Sequence, residues 1–181
     1  RFIHQAANDP RTLAIKMTVY RVGADTPFVR SLVQTAEAGR QVACVIELTA
    51  RFDEARNLHW AQQLEKVGAH VTYGVLGLKT HPKIALVVRQ HGLGLRCYAH
   101  IGAGNYHAKT ARLYTDVGFR SAELAVTTDS VNLLPYLSAH ADGPPSREPM
   151  VPPTHMHQRF LEMYEGEAWQ RGEGRTSANT A

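Results

Sequence analysis

Two cysteines in 181 residues cannot build a disulfide framework. Cys44 and Cys97 each sit inside an apolar, strand-like run, where a free buried thiol is the simpler reading. A reducing cytoplasm suits such a chain. No apolar run approaches the ~18 residues of a membrane-spanning helix, and no segment has the pattern of a secretory signal. There is no excess of acid either: 20 Lys and Arg face 16 Asp and Glu, a formal charge of +4. That balance favours an anionic partner without choosing among nucleic acid, nucleotide and polyphosphate. The apolar share, 44%, is ordinary for a globular protein, and the length suffices for one domain with a sizeable core. Opening at Arg1 rather than Met, the chain is expected to be a piece of a longer protein.

The first half alternates strand and helix signals. Leu13 to Tyr20 is β-branched and apolar. Phe28 to Ala38 carries Phe28, Leu32, Val33 and Ala36 at helical spacing and stops at Gly39. Val42 to Leu48 is nearly continuous in apolar residues, as a strand buried on both faces would be. Glu54 to Val67 reads as a helix ended by Gly68, and His70 to Val75 as a short strand. This order predicts an α/β layer with parallel pairing. The rhythm then changes. Lys83 to Arg89 and Leu95 to Ile101 flank a short Gly-containing link and read as a hairpin, so a mixed sheet is expected. Asn105 to Tyr114 is assigned a helix, Asp116 to Phe119 a last strand and Val126 to Leu137 a helix. Residues 138–154 hold five of the nine prolines and read as a linker. His155 to Trp169 can form an amphipathic helix, and Gly172 to Ala181 is polar and small, as a frayed end would be.

The chemistry concentrates in two short segments. Lys79-Thr80-His81-Pro82-Lys83 is followed, nineteen residues after His81, by His100 in His100-Ile101-Gly102-Ala103-Gly104-Asn105. Imidazole is a nucleophile at neutral pH and can carry a phosphoryl group. Lys79 and Lys83 supply compact positive charge for phosphate oxygens. Gly102 and Gly104 allow backbone N–H groups to approach an anion, and Asn105 can cap a helix that opens there. If the hairpin forms, both histidines lie at one edge of the sheet, the place where α/β sheets build their sites. Arg21 and Arg51 follow two of the strands and form a phosphate clamp in this reading. Tyr114 closes the segment as a core aromatic or as a platform for a base.

These residues fall in a set of motifs that resembles a known family. Ile15-Lys16-x-Thr18-x-Tyr20-Arg21, Glu47-Leu48-x-Ala50-Arg51-Phe52-Asp53-Glu54, Gly77-Leu78-Lys79-Thr80-His81-x-Lys83, the His100 to Asn105 run and Lys109-Thr110-Ala111-Arg112-Leu113-Tyr114-Thr115-Asp116 look like the first C-terminal catalytic domain of the phosphohistidine-type bacterial polyphosphate kinases. The resemblance runs from about Phe2 to Leu134. It implies an α/β fold of the phospholipase D-like kind, a mixed β-sheet flanked by helices on both faces. It implies that His81 is the phosphorylated nucleophile and His100 a second essential histidine. Arg21 and Arg51 match the family's magnesium positions, and Tyr114 a nucleotide-contacting tyrosine. Because a guanidinium has no lone pair to give a metal, the two arginines are read as gripping phosphate oxygens that also hold Mg²⁺. The sequence departs from the family's pattern at Thr49, usually lysine, at Pro82, usually small, at Ala103, usually threonine, and at His107, usually asparagine.

The expectation that follows is an ATP:polyphosphate phosphotransferase domain over residues 1–137, the linker over 138–154, and the truncated start of a second catalytic domain over 155–181. His81 and His100 would be catalytic, Lys79, Lys83 and Asn105 phosphate-binding, Tyr114 ATP-binding, with Mg²⁺ as cofactor. ATP or ADP and inorganic polyphosphate are the expected partners, with no nucleic acid, no membrane span and a homo-oligomer in the complete protein. Two other functions share parts of this pattern. A stand-alone phospholipase D-type phosphodiesterase or nuclease would carry an aspartate where Val88 stands. An inactive polyanion-binding remnant would need only the basic surface.

Overall fold

The computed structural model describes residues 1–23, 26–50, 53–74, 80–139 and 161–166. By backbone contacts the chain falls into two units, residues 1–143 and 144–181. Of the second, residues 161–166 are helical and exposed. The remainder of the expected linker, helix and frayed end lies outside the described residues.

The first unit is built on a six-stranded sheet. Its elements run α1 (Phe2–Asn8), β1 (Thr12–Val19), α2 (Pro27–Glu37), β2 (Gln41–Ile46), α3 (Glu54–Lys66), β3 (His70–Tyr73), β4 (Lys83–His91), β5 (Gly94–Gly102), the 3₁₀ turn η1 (Thr110–Arg112), β6 (Gly118–Ser121) and α4 (Leu124–Ala139). The strand order is β3-β2-β1-β4-β5-β6. β1, β2 and β3 are parallel, while β4, β5 and β6 add antiparallel to the other side of β1. The mixed sheet of the sequence reading is therefore present, and so is the hairpin, which turns tightly at Gly92 with φ 58°.

Local sequence explains most of these elements. Val42 to Ile46 of β2 and Ile84 to Val88 of β4 are unbroken apolar runs, as suits a sheet covered on both faces. Ile15, Met17 and Val19 of β1, Val42, Cys44 and Ile46 of β2, and Ala85 and Val87 of β4 form one core with Ile3, Leu32, Ala61 and Leu64 of α1 to α3. Helix α4 lies against β1, β2, β4 and β5 and buries Val126, Leu133, Leu134 and Leu137. Burial pushes the Cys44 thiol up to about 12, as suits an inert core residue. Gly39 and Gly68, at φ 74° and 81°, end α2 and α3 in the left-handed conformation that costs glycine least.

Two parts differ from the sequence reading. Helix α1 has no counterpart there: seven residues are too few to display a period, and tertiary partners hold it. The Arg40 guanidinium donates to the carbonyls of Ala7 at 2.8 Å and Asp9 at 3.1 Å, satisfying the end of α1. Conversely, Asn105 to Tyr114 forms only η1 rather than a helix. The helical turn also opens later than the sequence suggests. His107 Nδ1 accepts the N–H groups of Lys109 at 3.2 Å and Thr110 at 3.3 Å, the second and third residues after it, as an N-cap does. His107, and not Asn105, is therefore the residue that caps this segment.

Candidate active site

The C-terminal ends of β1 and β2, the start of β4 and the end of β5 converge at one edge of the sheet. Two buried polar residues hold this edge. Asn57 of α3 is fully buried and donates to the carbonyls of Tyr20 at 2.9 Å and Glu47 at 2.8 Å, tying together the chain just past β1 and β2. The Glu47 carboxylate then reaches across to the segment before β4. It accepts the N–H and hydroxyl of Thr49, at 2.8 and 2.6 Å, on one oxygen and the Thr80 N–H, at 2.7 Å, on the other. Thr49 thus serves one carboxylate oxygen with both its N–H and its hydroxyl. From β1, the Thr18 hydroxyl donates to the Pro82 carbonyl at 2.6 Å and accepts the Ile84 N–H at 3.1 Å. His81 is therefore the exposed residue of a segment pinned on both sides.

The His81 ring meets two neighbours. Tyr20 packs against it edge-on, with centroids 4.7 Å apart. The Lys83 Nζ lies 2.9 Å from Nδ1 and 2.7 Å from Nε2. One donor cannot lie along both in-plane lone pairs of an imidazole, which point to opposite sides of the ring. Near-equal distances place the ammonium against the ring face, so it charges the imidazole's surroundings without occupying either in-plane direction. Lys83 is only 5% exposed. Burial lowers its pKa to about 8, the nearby Arg21 charge pushes the same way, and Asp116 opposes them. Its Nζ also lies 4.8 Å from the Tyr20 ring centroid. Arg21 forms an ion pair with Asp53 at 3.1 Å and sits beside the same ring.

His100 is reached through the hairpin register. Lys83 pairs with Gly102 and Ala85 with His100, so Lys83 and His100 share one face. A β-carbon at Gly102 would lie 3.3 Å from the His100 ring, and one at Gly118 of β6 would lie 3.0 Å from its Nε2. The two glycines form a bare floor for the imidazole. The Tyr106 hydroxyl lies 2.9 Å from Nδ1, and Phe2 of α1 packs nearby. Burial first, then the Arg120 charge, holds the His100 pKa below its ordinary value. The ring opens onto a cavity of about 580 Å³ lined also by Arg1, His4, His107 and Arg120.

The structure thus brings His81, Lys83, Arg21 and His100 to one edge of the sheet. Asn105 lines the His100 cavity with its Oδ1 buried and without a hydrogen-bond partner, and with no helix to cap. Tyr114 stands 68% exposed past η1 and makes no ring contact with either histidine among the described residues. Lys79 and Arg51 lie outside the described residues. Sequence reasoning passed over Tyr20, Glu47, Asn57, Tyr106 and Gly118 as working parts. Asn57 carried a signal, a polar residue on the inner side of α3, but its partners are backbone carbonyls that no pattern displays.

The described residues do not make a magnesium cage. Among them no group of three or more His, Cys, Asp or Glu is clustered for a metal. Glu47 is committed to Thr49 and Thr80, and Asp53 is paired with Arg21 and Arg56. Asp116 packs where Gly104 has no side chain.

The family model for the polyphosphate kinase C-terminal domain 1 matches residues 1–143. The chain belongs to that family. Proteins named polyphosphate kinase share it at similar levels. The one from Synechocystis sp. is 48% identical over 168 residues, covering 93% of this chain and 23% of that protein. The one from Mycobacterium avium is 47% identical over 178 residues, covering 97% of this chain and 24% of that protein. A crystal structure of polyphosphate kinase from Porphyromonas gingivalis superposes with a TM-score of 0.76 at 27% identity, covering 96% of this chain and 29% of that one. The polyphosphate kinase domain described here therefore spans about a quarter of the length of the curated relatives it matches. Its mixed sheet between helices is the fold of that solved relative. Among the described residues, no helix of the domain is long and apolar enough to cross a membrane.

Proposed function

We propose that this chain is the phosphoryl-accepting part of an ATP:polyphosphate phosphotransferase, with His81 as the nucleophile. The observation that carries the reading is the His81–Lys83 pair: an exposed imidazole on a pinned segment, with a buried ammonium against its face and Arg21 close by. A ring nitrogen of His81 attacks the terminal phosphorus of ATP. The N–P bond forms as the bond from that phosphorus to the bridging oxygen breaks, and ADP leaves with the electron pair. The phosphohistidine then passes its phosphoryl group to the terminal oxygen of a polyphosphate chain, or back to ADP. Such transition states spread charge over the transferred oxygens, and fixed cations placed beforehand stabilise it. Lys83 and Arg21 are assigned this role, with Lys79 and Arg51 in the same clamp. Asn105 is assigned to phosphate and Tyr114 to the nucleotide.

Magnesium, in this reading, arrives on the phosphates of ATP as part of the substrate. The protein's share is to hold phosphate oxygens with arginine and lysine, which suits groups that carry charge and donors but no lone pair.

The test is covalent labelling in the complete protein that contains this chain. Incubation with γ-labelled ATP should give an acid-labile, base-stable phosphoprotein, and His81→Ala should abolish it. Full labelling of the His81→Ala protein would place the nucleophile elsewhere.

A further inference from the structure

We propose that Tyr106 is a positioning residue that holds His100 in its Nε2–H tautomer, so that His100 offers a hydrogen-bond donor, and not a base, to a phosphate oxygen. This rests on the reading that His100 belongs to the phosphoryl-transfer site.

The geometry begins with one contact. The Tyr106 oxygen lies 2.9 Å from His100 Nδ1, and the hydroxyl has no other hydrogen-bond partner among the described residues. A phenol O–H is a stronger donor than a neutral imidazole N–H, and a bare imidazole nitrogen is a stronger acceptor than a phenol oxygen. The proton of this pair therefore sits on the tyrosine and points at Nδ1, which leaves the ring's own proton on Nε2. Burial raises the Tyr106 pKa well above the ordinary range, so the phenol keeps its proton. Burial and Arg120 hold the His100 pKa low, so its ring is neutral near pH 7 and has a tautomer to choose.

Packing then fixes the ring's orientation. Tyr106 is itself wedged against Phe28 of α2, with centroids 5.9 Å apart, and against the His100 ring at 5.6 Å. The bare floor of Gly102 and Gly118 lets the imidazole lie flat enough to bring Nε2 over Gly118. The charge nearest the ring is positive, and the one carboxylate acting nearby among the described residues, Asp116, reaches Lys83 and packs over Gly104. Arg120 flanks it on β6, and Lys83 lies on the same face of β4. Arg1 and His4 of α1 and His107 of the following loop line its cavity, and no carboxylate does. A donor in such surroundings faces an anion. A general base there would have to take up a proton amid positive charge, which the same groups oppose.

The proposal is tested in the complete protein. The ring ¹⁵N shifts of His100, assigned by their loss in His100→Gln, should report a proton on Nε2. A proton on Nδ1 overturns the proposal whatever the variants do. Tyr106→Phe should lower kcat for polyphosphate synthesis about 3- to 10-fold, near the weight of one neutral hydrogen bond. KM for ATP should stay nearly unchanged. His100→Gln keeps a side-chain N–H donor and should retain at least about tenfold more activity than His100→Ala, as one lost donor to a developing charge costs about 10²–10³. If His100→Gln is as inactive as His100→Ala, or Tyr106→Phe has wild-type kcat while His100→Ala is dead, the tautomer proposal fails and the site reading stands. Wild-type activity in His100→Ala would overturn both.

Discussion

The Glu47 carboxylate accepts the backbone N–H of Thr80 at 2.7 Å across 33 residues of sequence. This contact joins the end of β2 to the residue before the proposed nucleophile. Glu47 is 4% exposed and receives two further bonds from Thr49, so every donor at the carboxylate is spoken for by backbone or hydroxyl.

Glu47→Gln replaces one acceptor oxygen by an NH₂ group that faces N–H donors. The expected cost is about 2–3 kcal/mol of stability, the scale of losing bonds to a charged group and leaving a buried donor unmet. Thermal denaturation measures it. Because Thr80 is released, labelling of His81 should fall by more than the loss of folded protein accounts for. A variant as stable as wild type would show that the buried carboxylate is not a tie.

Gly118→Ala tests the floor beneath His100. The backbone at Gly118 is not left-handed, so alanine is tolerated there, and stability should change by no more than about 0.5 kcal/mol. Its methyl group, however, would lie 3.0 Å from Nε2, so the imidazole must give by a few tenths of an ångström. Phosphoryl transfer should therefore drop while the melting temperature holds. Equal activity in the variant would mean that the ring position is not critical.

If Lys83 holds phosphate, binding should depend on pH. It is charged below about 8 and loses its charge as pH rises through that value. Polyphosphate affinity of the wild type should weaken between pH 7 and 9, by on the order of tenfold if the charge is essential. Lys83→Arg should bind equally at both pH values. For stability the sign reverses. Between about 8 and the ordinary 10.5 the folded chain binds fewer protons at this group than the unfolded chain, so its contribution to stability rises with pH across that window. An affinity that does not change between pH 7 and 9 would count against a phosphate role for Lys83.

Arg21→Ala should slow transfer by about 10²–10³, the usual weight of one group aimed at developing charge. Folding should be spared, because Asp53 keeps Arg56 as a partner at 2.5 Å. Arg21→Lys should recover only part of the rate, since an ammonium cannot make the forked contact of a guanidinium. Wild-type turnover in Arg21→Ala would leave this arginine a surface residue.

What was readable from the residues had local causes. Val42 to Ile46 of β2 and Ile84 to Val88 of β4 are unbroken apolar runs because the middle of a covered sheet has no solvent face. Gly39 and Gly68 mark the ends of α2 and α3 because a left-handed residue is needed there. What was not readable had distant causes. Helix α1 depends on Arg40, over thirty residues away, for its last carbonyls. The segment from Asn105 to Tyr114 has a helix-like composition, but only Thr110 to Arg112 form a 3₁₀ turn, and its capping residue is His107 where the sequence pointed to Asn105.

The candidate site divides along the same line. His81, Lys83, His100 and Arg21 could be named from residue type and spacing, because nucleophiles, cations and glycine turns are rare in such a cluster. Sequence alone also determined the mixed sheet, since alternating helix and strand followed by a hairpin admits few other arrangements. Only the tertiary structure decided how those residues work. It placed Lys83 against the face of His81, set Tyr20 at the ring's edge, brought Glu47 to Thr80 and Tyr106 to His100, and cleared a floor at Gly118. Each of these depends on the ångström-scale distance between atoms on separate elements, which is set when the sheet and its helices pack and leaves no period or motif along the chain.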